Sequence, residues 1–327
     1  MSGHGSGGGA PDSRPRPGEP LLAVVGPTAV GKTALGIEVA LRLDGEVISA
    51  DSMQVYRGMD IGTAKATLEE RRGVPHHLLD VRDPDQPMTV AEYQGLAEEA
   101  IAAIRSRGRL PIIVGGTGLY VRAVVDRFVF TPMESDPDLR ASLAEEAGRE
   151  GVPALHRRLA EVDPEAAARI HPHDLRRIIR ALEVYHQTGQ PLSSLQRAEP
   201  RDPESVLLVG LTMDRAALYR RIEERVEQQL RDGLVEEARG LLDRGYAPGV
   251  GPMGGLGYKE MSLYLRGEAT LEEATALLKR NTRRYAKRQF TWFHADPRIV
   301  WYTISQDSDV LAIVPEIVNR VEGKWPG

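Results

Sequence analysis

The chain has 327 residues, enough for two domains or for one domain with a large insertion at roughly 100–200 residues per domain. A composition of 41% hydrophobic and 27% charged residues is that of a folded globular protein and excludes wholesale disorder. The absence of cysteine excludes a disulfide scaffold, a thiol nucleophile, an iron–sulfur cluster and any cysteine-bearing zinc site, leaving oxygen and nitrogen groups to carry the chemistry. The net charge of −5, taken as a whole-chain sum, argues against a polyanionic partner, although a partner feels the local field and not the sum. No apolar run reaches the roughly 18 residues needed to cross a bilayer, and the N-terminus lacks a signal-peptide pattern; no membrane association and a cytoplasmic location are expected.

Residues 1–20 hold six Gly and four Pro with almost nothing apolar, and are expected to form a disordered arm. A core then runs over residues 21–130 and 201–327, interrupted by an insertion at 131–200. Leu21–Val25, Glu46–Ser49, Leu110–Val114, Val206–Leu211 and Ile299–Thr303 are nearly continuous apolar runs, the pattern of strands buried on both faces. Thr33–Leu43 and Val90–Ser106 read as helices between them, which predicts right-handed crossovers and an α/β fold with a doubly wound parallel sheet. In the insertion, Asp138–Glu150, Val152–Glu161, Pro164–Ile170 and Asp174–Thr188 have helical spacing and no good strand is visible. Asp214 is placed to cap a helix ending near Gly233, Leu234–Arg244 continues as another, and a long final helix is expected over Leu271–Trp292.

Gly26-Pro27-Thr28-Ala29-Val30-Gly31-Lys32-Thr33 fits the phosphate-loop pattern G-x-x-x-x-G-K-[ST], directly after the first strand and at the start of a helix. Backbone N–H groups and the helix N-terminus would surround phosphate oxygens, Lys32 would add a cation, and Thr33 could ligate Mg²⁺. The loop points to a phosphate or diphosphate ligand but reads no base, so it does not by itself indicate ATP. The strand Leu110–Val114 leads into Gly115-Gly116-Thr117-Gly118 with no Walker B acid, and no guanine-reading Asn-Lys-x-Asp is present, which disfavours motor ATPases and GTPases.

Asp51 lies just past the second strand, at the sheet edge where α/β proteins bind ligands. A carboxylate there could hold Mg²⁺ or accept a proton; equally, Asp51 or Ser52 could simply cap the next helix. The string Asp51-Ser52-Met53-Gln54-Val55-Tyr56-Arg57-Gly58-Met59-Asp60-Ile61-Gly62-Thr63-Ala64-Lys65, together with the phosphate loop, closely resembles the tRNA dimethylallyltransferase (tRNA isopentenylpyrophosphate transferase) family. His76-His77-Leu78-Leu79-Asp80, Gly115-Gly116-Thr117-Gly118-Leu119-Tyr120, Arg177-Ile178-Ile179-Arg180, Arg221-Ile222-Glu223-Glu224-Arg225 and Gly257-Tyr258-Lys259-Glu260 extend the resemblance over about residues 21–295. Lacking cysteine, the chain cannot build the zinc finger of the eukaryotic members, so the resemblance is to the bacterial type.

The resemblance implies a P-loop NTPase-like core that transfers a dimethylallyl group from dimethylallyl diphosphate to N6 of the adenine 3′-adjacent to the anticodon, with Mg²⁺. It implies Asp51 as general base, Thr28 on the bridging oxygen of the leaving diphosphate, and Lys32, Thr33 with its metal, and Arg225 on the developing charge. It places contacts with the tRNA anticodon stem-loop on Asp51, Ser52, Met53, Gln54, Thr117, Arg140, Arg176, Arg177, Ile178, Ile179 and Arg180. Gly118 stands where other members often carry a bulkier residue. A monomer is expected.

Lys279–Arg288 contains six cations and no acid, and on a helix positions 280, 284, 287 and 288 share a face; Arg284, Lys287 and Arg288 are therefore further candidates for RNA contact. Glu134–Ile170, by contrast, holds nine acids against five arginines, so the net charge hides a strong separation. His171 and His173 lack a clear third metal ligand. Two rival functions use the same loop: prenylation of free adenine nucleotides, which has less need of the insertion and the basic helix, and a small-molecule kinase, for which no arginine lid or adenine pocket is identifiable.

Overall fold

The computed structural model describes residues 19–130, 133, 135–305 and 310–325. The arm expected at residues 1–20 lies outside the described residues except for Glu19 and Pro20, and these are tied down. The Arg105 guanidinium donates to the Glu19 carboxylate at 2.6 Å and to the carbonyls of Glu19 and Pro20 at 2.8 and 3.0 Å.

The first half of the core contains β1 (Leu21–Val25), α1 (Lys32–Arg42), β2 (Gly45–Ser49), α2 (Leu68–Arg71), β3 (His76–His77), α3 (Val90–Ser106), β4 (Leu110–Gly115) and α4 (Gly118–Val125). The segment that follows contains β5 (Phe128–Val129), α5 (Pro137–Glu150), α6 (Val152–Val162), α7 (Pro164–Arg169), α8 (Leu175–Thr188), α9 (Leu192–Leu195) and β6 (Arg197–Ala198). The core resumes with β7 (Val206–Met213), α10 (Arg215–Arg231), α11 (Leu234–Asp243), α12 (Tyr258–Leu265), α13 (Leu271–His294), β8 (Ile299–Ile304) and α14 (Val314–Lys324). The chain divides into two compact units, residues 126–200 and the remainder.

Six strands form one parallel sheet in the order β3-β2-β4-β1-β7-β8. Its strands read as unbroken apolar runs because both faces are covered, with successive side chains going to opposite sides. Leu22 and Val24 of β1 pack with α1, α10 and α14, whereas Leu21, Ala23 and Val25 pack with α3 and α4. Each fully buried Leu or Ile in these layers contributes about 1.5–3 kcal/mol, so the two apolar layers, not strand propensity, hold the sheet. β1 sits between β4 and β7, where the direction of strand addition reverses, and such a switch point leaves a crevice at the carboxyl ends of the strands.

Several elements differ from the sequence expectation. His76–His77 forms a sixth strand, paired with Val47 and Ile48, but is too short to show a periodicity. α4 and α12 are helices of eight residues each that follow glycine-rich stretches, and α13 is followed by β8 and α14 and so is not the last helix. The 126–200 unit contains an antiparallel pair, Phe128 with Ala198 and Val129 with Arg197, of which β6 falls in the stretch 131–200 where no strand was expected. Asp136, Asp163 and Asp174 cap α5, α7 and α8 by accepting backbone N–H bonds at 2.9, 2.9 and 3.2 Å. Leu143, Leu155, Leu159, Ile178 and Leu182 form the core of that unit.

Candidate active site

The loop after β1 takes a shape that ordinary side chains resist. Gly31 has φ +103°, and a Cβ on it would lie 2.7 Å from a Val310 methyl. Val30 is fully buried in the sheet core and anchors the loop from beneath, so that it offers a ligand only its backbone. α1 begins at Lys32, and Gly31 supplies no side-chain cap, leaving the first-turn N–H groups directed out of the helix N-terminus. The Lys32 ammonium donates to the Pro27 carbonyl at 2.7 Å. Its pKa is brought down to about 7 by burial and by the charge of Arg225, with Asp51 pulling the other way.

Arg225 comes from α10 and is half-buried. Burial lowers its pKa, opposed by the charges of Asp51 and Glu70. Its place on the border of the apolar stripe of α10 left two orientations open in the sequence; the structure turns it toward Lys32 and Asp51. Two cations held within each other's field, with no carboxylate in ion-pair contact with either among the described residues, make a receptor for an anion of high charge.

Asp51 does not cap a helix. The chain after it forms a turn, and Asp51 Oδ1 accepts the N–H groups of Met53 at 2.8 Å and Gln54 at 3.4 Å. One carboxylate oxygen is thereby fixed by the turn, while Oδ2 accepts no hydrogen bond from the described residues. Ser52 N–H donates to the Thr117 hydroxyl at 2.9 Å, joining the Asp51 turn to the start of α4. Gln54 is spent on structure: its amide bonds the Ser49 hydroxyl at 3.0 Å and donates to the Thr63 carbonyl at 3.2 Å. The rest of the Asp51–Lys65 string is anchored from α11, where the Glu237 carboxylate accepts the N–H groups of Asp60, Ile61 and Gly62 at 2.8–3.0 Å. Buried Lys65 holds the same stretch by donating to Asp80 at 2.6 Å and the Tyr56 carbonyl at 3.0 Å.

A residue that sequence reading missed ties the two halves of the site together. Gln289 of α13, 6% exposed, accepts Thr28 N–H at 2.8 Å and donates to the Gly116 carbonyl at 2.9 Å. Tyr285, one turn earlier, lies beside Thr117 and Gln289, and burial raises its pKa. The available signal was a glutamine on the buried stripe of a helix, at i+4 from Tyr285 and i−4 from the core residue Phe293.

The basic segment is less uniform than its sequence. Lys279 and Arg283 are neutralised by Glu227 and Glu223 of α10, each at 2.5 Å, which corrects the picture of six unopposed charges. Arg284, Lys287 and Arg288 line a cavity of about 910 Å³ together with Arg122, Trp292 and Arg298.

In the 126–200 unit, Arg140 and Arg180 converge on one carboxylate. Glu183 is fully buried and receives Arg140 at 2.8 and 2.9 Å and Arg180 at 2.7 Å, with Asp136 N–H at 2.9 Å. Burial works against its charge, but these partners outweigh it and hold the carboxyl down at about 2. Arg176 and Arg177 are exposed on the same helix, Arg177 with Asp174 at 3.4 Å. Ile178 and Ile179, expected among the RNA contacts, are 0% and 9% exposed in the core of this unit. Their apolar side chains pack α8 into that core instead of facing solvent, whereas Arg176 and Arg177 are exposed.

At the phosphate loop the side chain offered to a divalent cation is the Thr33 hydroxyl. Thr33 is exposed at the start of α1, and no group of three His, Asp or Glu suited to a metal occurs among the described residues, His171 and His173 included. This donor set fits Mg²⁺, which keeps several waters and takes phosphate oxygens alongside one or two protein ligands. No helix among the described residues is long and apolar enough to cross a membrane.

Known proteins are similar to this chain in sequence and in fold. The tRNA dimethylallyltransferase of Symbiobacterium thermophilum is 57% identical over 310 residues, covering 94% of this chain and 96% of its own. That of Geobacillus kaustophilus is 51% identical over 307 residues, with 94% and 97% covered. The crystal structure of the full-length tRNA isopentenylpyrophosphate transferase from Bacillus halodurans matches with a TM-score of 0.70 at 50% identity, over 94% of this chain and 97% of that one. A eukaryotic dimethylallyltransferase acting on tRNA matches with a TM-score of 0.77 at 28% identity, over 93% of this chain and 78% of that one. A sequence model described as IPP transferase matches residues 54–296, and with that span and relatives above half identity the chain belongs to the IPP transferase family.

Proposed function

We propose that the protein transfers the dimethylallyl group of dimethylallyl diphosphate to N6 of the adenine 3′-adjacent to the anticodon in tRNA, releasing diphosphate. The observation that carries this reading is the pairing of an anion receptor, Lys32 with Arg225 at the phosphate loop, with a carboxylate whose second oxygen is open. In the transfer, N6 attacks C1 of the allyl group, the C1–O bond breaks with its electron pair going to diphosphate, and the N6 proton passes to Asp51. An exocyclic amine is a weak nucleophile, so a carboxylate fixed at one oxygen and free at the other helps at the moment of bond formation. Charge builds on the leaving diphosphate, where the loop N–H groups, Lys32 and Arg225 act most strongly because they are already oriented. Thr28 belongs at the bridging oxygen, its backbone held by Gln289. Thr33 would hold Mg²⁺, which when bound neutralises charge on the diphosphate.

Family relatives named for tRNA support that acceptor. Thr117 and Ser52 stand beside Asp51 to receive the extruded base, and the arginines of α8 and α13 suit an RNA backbone. The deciding experiment supplies labelled dimethylallyl diphosphate with either unmodified tRNA or AMP. Label on tRNA and none on AMP is expected; label on AMP alone refutes the reading.

A further inference from the structure

The cavity at the end of α13 lies beside the site and has a composition the transfer chemistry does not require. Trp292 forms one wall, and Arg122, Arg284, Lys287, Arg288 and Arg298 surround it. The one carboxylate of the lining, Asp296, is bound to Arg298 at 2.6 Å. Arg284 and Lys287 have no ion-pair partner among the described residues, whereas Lys279 and Arg283, farther up the same helix, are neutralised by α10. The positive field of α13 is therefore concentrated at this end.

Trp292 is 37% exposed, and its indole lies against Gly118. A Cβ on Gly118 would lie 2.1 Å from the indole Cδ1, so the absence of a side chain at 118 is what lets the ring rest on the first turn of α4. Gly118 follows Thr117, whose hydroxyl accepts the N–H next to Asp51, and Gln289, one turn before Trp292, holds the phosphate loop. The indole thus lies against the residue that follows Thr117, which bonds the turn at Asp51. An aromatic face ringed by guanidinium and ammonium groups fits a stacked base with its phosphates, and neither an apolar peptide nor a bare inorganic anion needs both. Extruding one base leaves its neighbours without a stacking partner, and a surface beside the pocket restores it.

We propose that this cavity seats the nucleotide adjacent to the modified adenine, its base on Trp292 and its phosphates on Arg284, Lys287 and Arg288. The proposal rests on the tRNA reading above. The test measures dissociation constants for an anticodon stem-loop RNA with the wild-type protein, Trp292→Ala and Trp292→Phe. It repeats each with RNAs made abasic at the nucleotide 5′ or 3′ of the target adenine. Loss of one stacked base weakens binding by about 5- to 150-fold, so Trp292→Ala should do so while Trp292→Phe keeps most of the affinity. One of the two abasic RNAs should show a similar loss with the wild type and no additional loss with Trp292→Ala.

Independent, additive losses would overturn the proposal, as would wild-type affinities within twofold for both abasic RNAs, a result that depends on no protein variant. Failure of the wild type to label any tRNA would sink the underlying function; labelling of tRNA with Trp292→Ala binding unchanged would sink the seat alone.

Discussion

Asp51 is the residue at which geometry and chemistry can be separated most cleanly. Its Oδ1 accepts two turn N–H groups, one at 2.8 Å and one at 3.4 Å, while Oδ2 is left for the amine. Asp51→Asn keeps an oxygen for the turn and removes the basicity. The chemical step should then fall by about 10²–10⁴, the usual contribution of a positioned general base, or about 3–5 kcal/mol of barrier. Stability should stay within about 1 kcal/mol and affinity for tRNA within about threefold, because the bond to the Met53 N–H persists. Asp51→Ala adds a structural loss. One good hydrogen bond and one long one vanish from a partly buried turn, costing about 1–2 kcal/mol, and the Ser52–Thr117 contact loosens with it. The assay is single-turnover transfer of labelled dimethylallyl with enzyme in excess, alongside equilibrium tRNA binding and thermal melting. Equal losses of rate and affinity in Asp51→Asn would show that Asp51 only positions RNA, and a wild-type rate in that variant would refute the general-base role outright.

Gln289→Leu should destabilise the protein by about 2–4 kcal/mol, since it strands the Thr28 N–H and the Gly116 carbonyl; KM for dimethylallyl diphosphate should rise more than kcat falls, and unaltered urea unfolding would contradict the clamp. Lys32, with a pKa of about 7, binds fewer protons in the folded protein than in the unfolded chain between about pH 7 and the ordinary lysine value of 10.5. Stability should therefore increase with pH across that window in the wild type and lose this component in Lys32→Met. Because a bound diphosphate favours the ammonium, calorimetry near pH 8 in buffers of different ionisation heat should show proton uptake on binding that Lys32→Met lacks. Glu183, held at about 2, contributes stability present above its ordinary value near 4.5 and lost as pH falls toward 2. Glu183→Gln should cost about 1–3 kcal/mol at neutral pH, flatten the acid limb and weaken tRNA binding through Arg140 and Arg180; intact tRNA affinity would remove those two arginines from the interface.

Much of the site was legible because its chemistry is local in sequence. The phosphate loop needs glycines and a lysine at set spacing after a strand, and Asp51 follows the second strand in the same way, so both could be placed from residues alone. Ile178 and Ile179 show the limit of local reading, since a segment that presents arginines on one face of a helix also carries the apolar residues that pack its other face. Gln289 is 261 residues from its partner Thr28, and no sequence spacing links them. The same holds for Glu227 and Glu223, whose carboxylates lie more than 50 positions from the cations they neutralise.

The sequence alone determined the sheet's buried strands, the phosphate loop and the family, because continuous apolar runs and backbone-cradling glycines are imposed by short-range geometry. It also showed a net charge of −5 that hid a basic helix. Only the tertiary structure decided which of those charges remain available, since neutralisation depends on which helix packs alongside. It alone decided that Asp51 commits one oxygen to a turn and keeps the other, and that Trp292 stands over Gly118, because contacts between distant segments arise only when the layers pack.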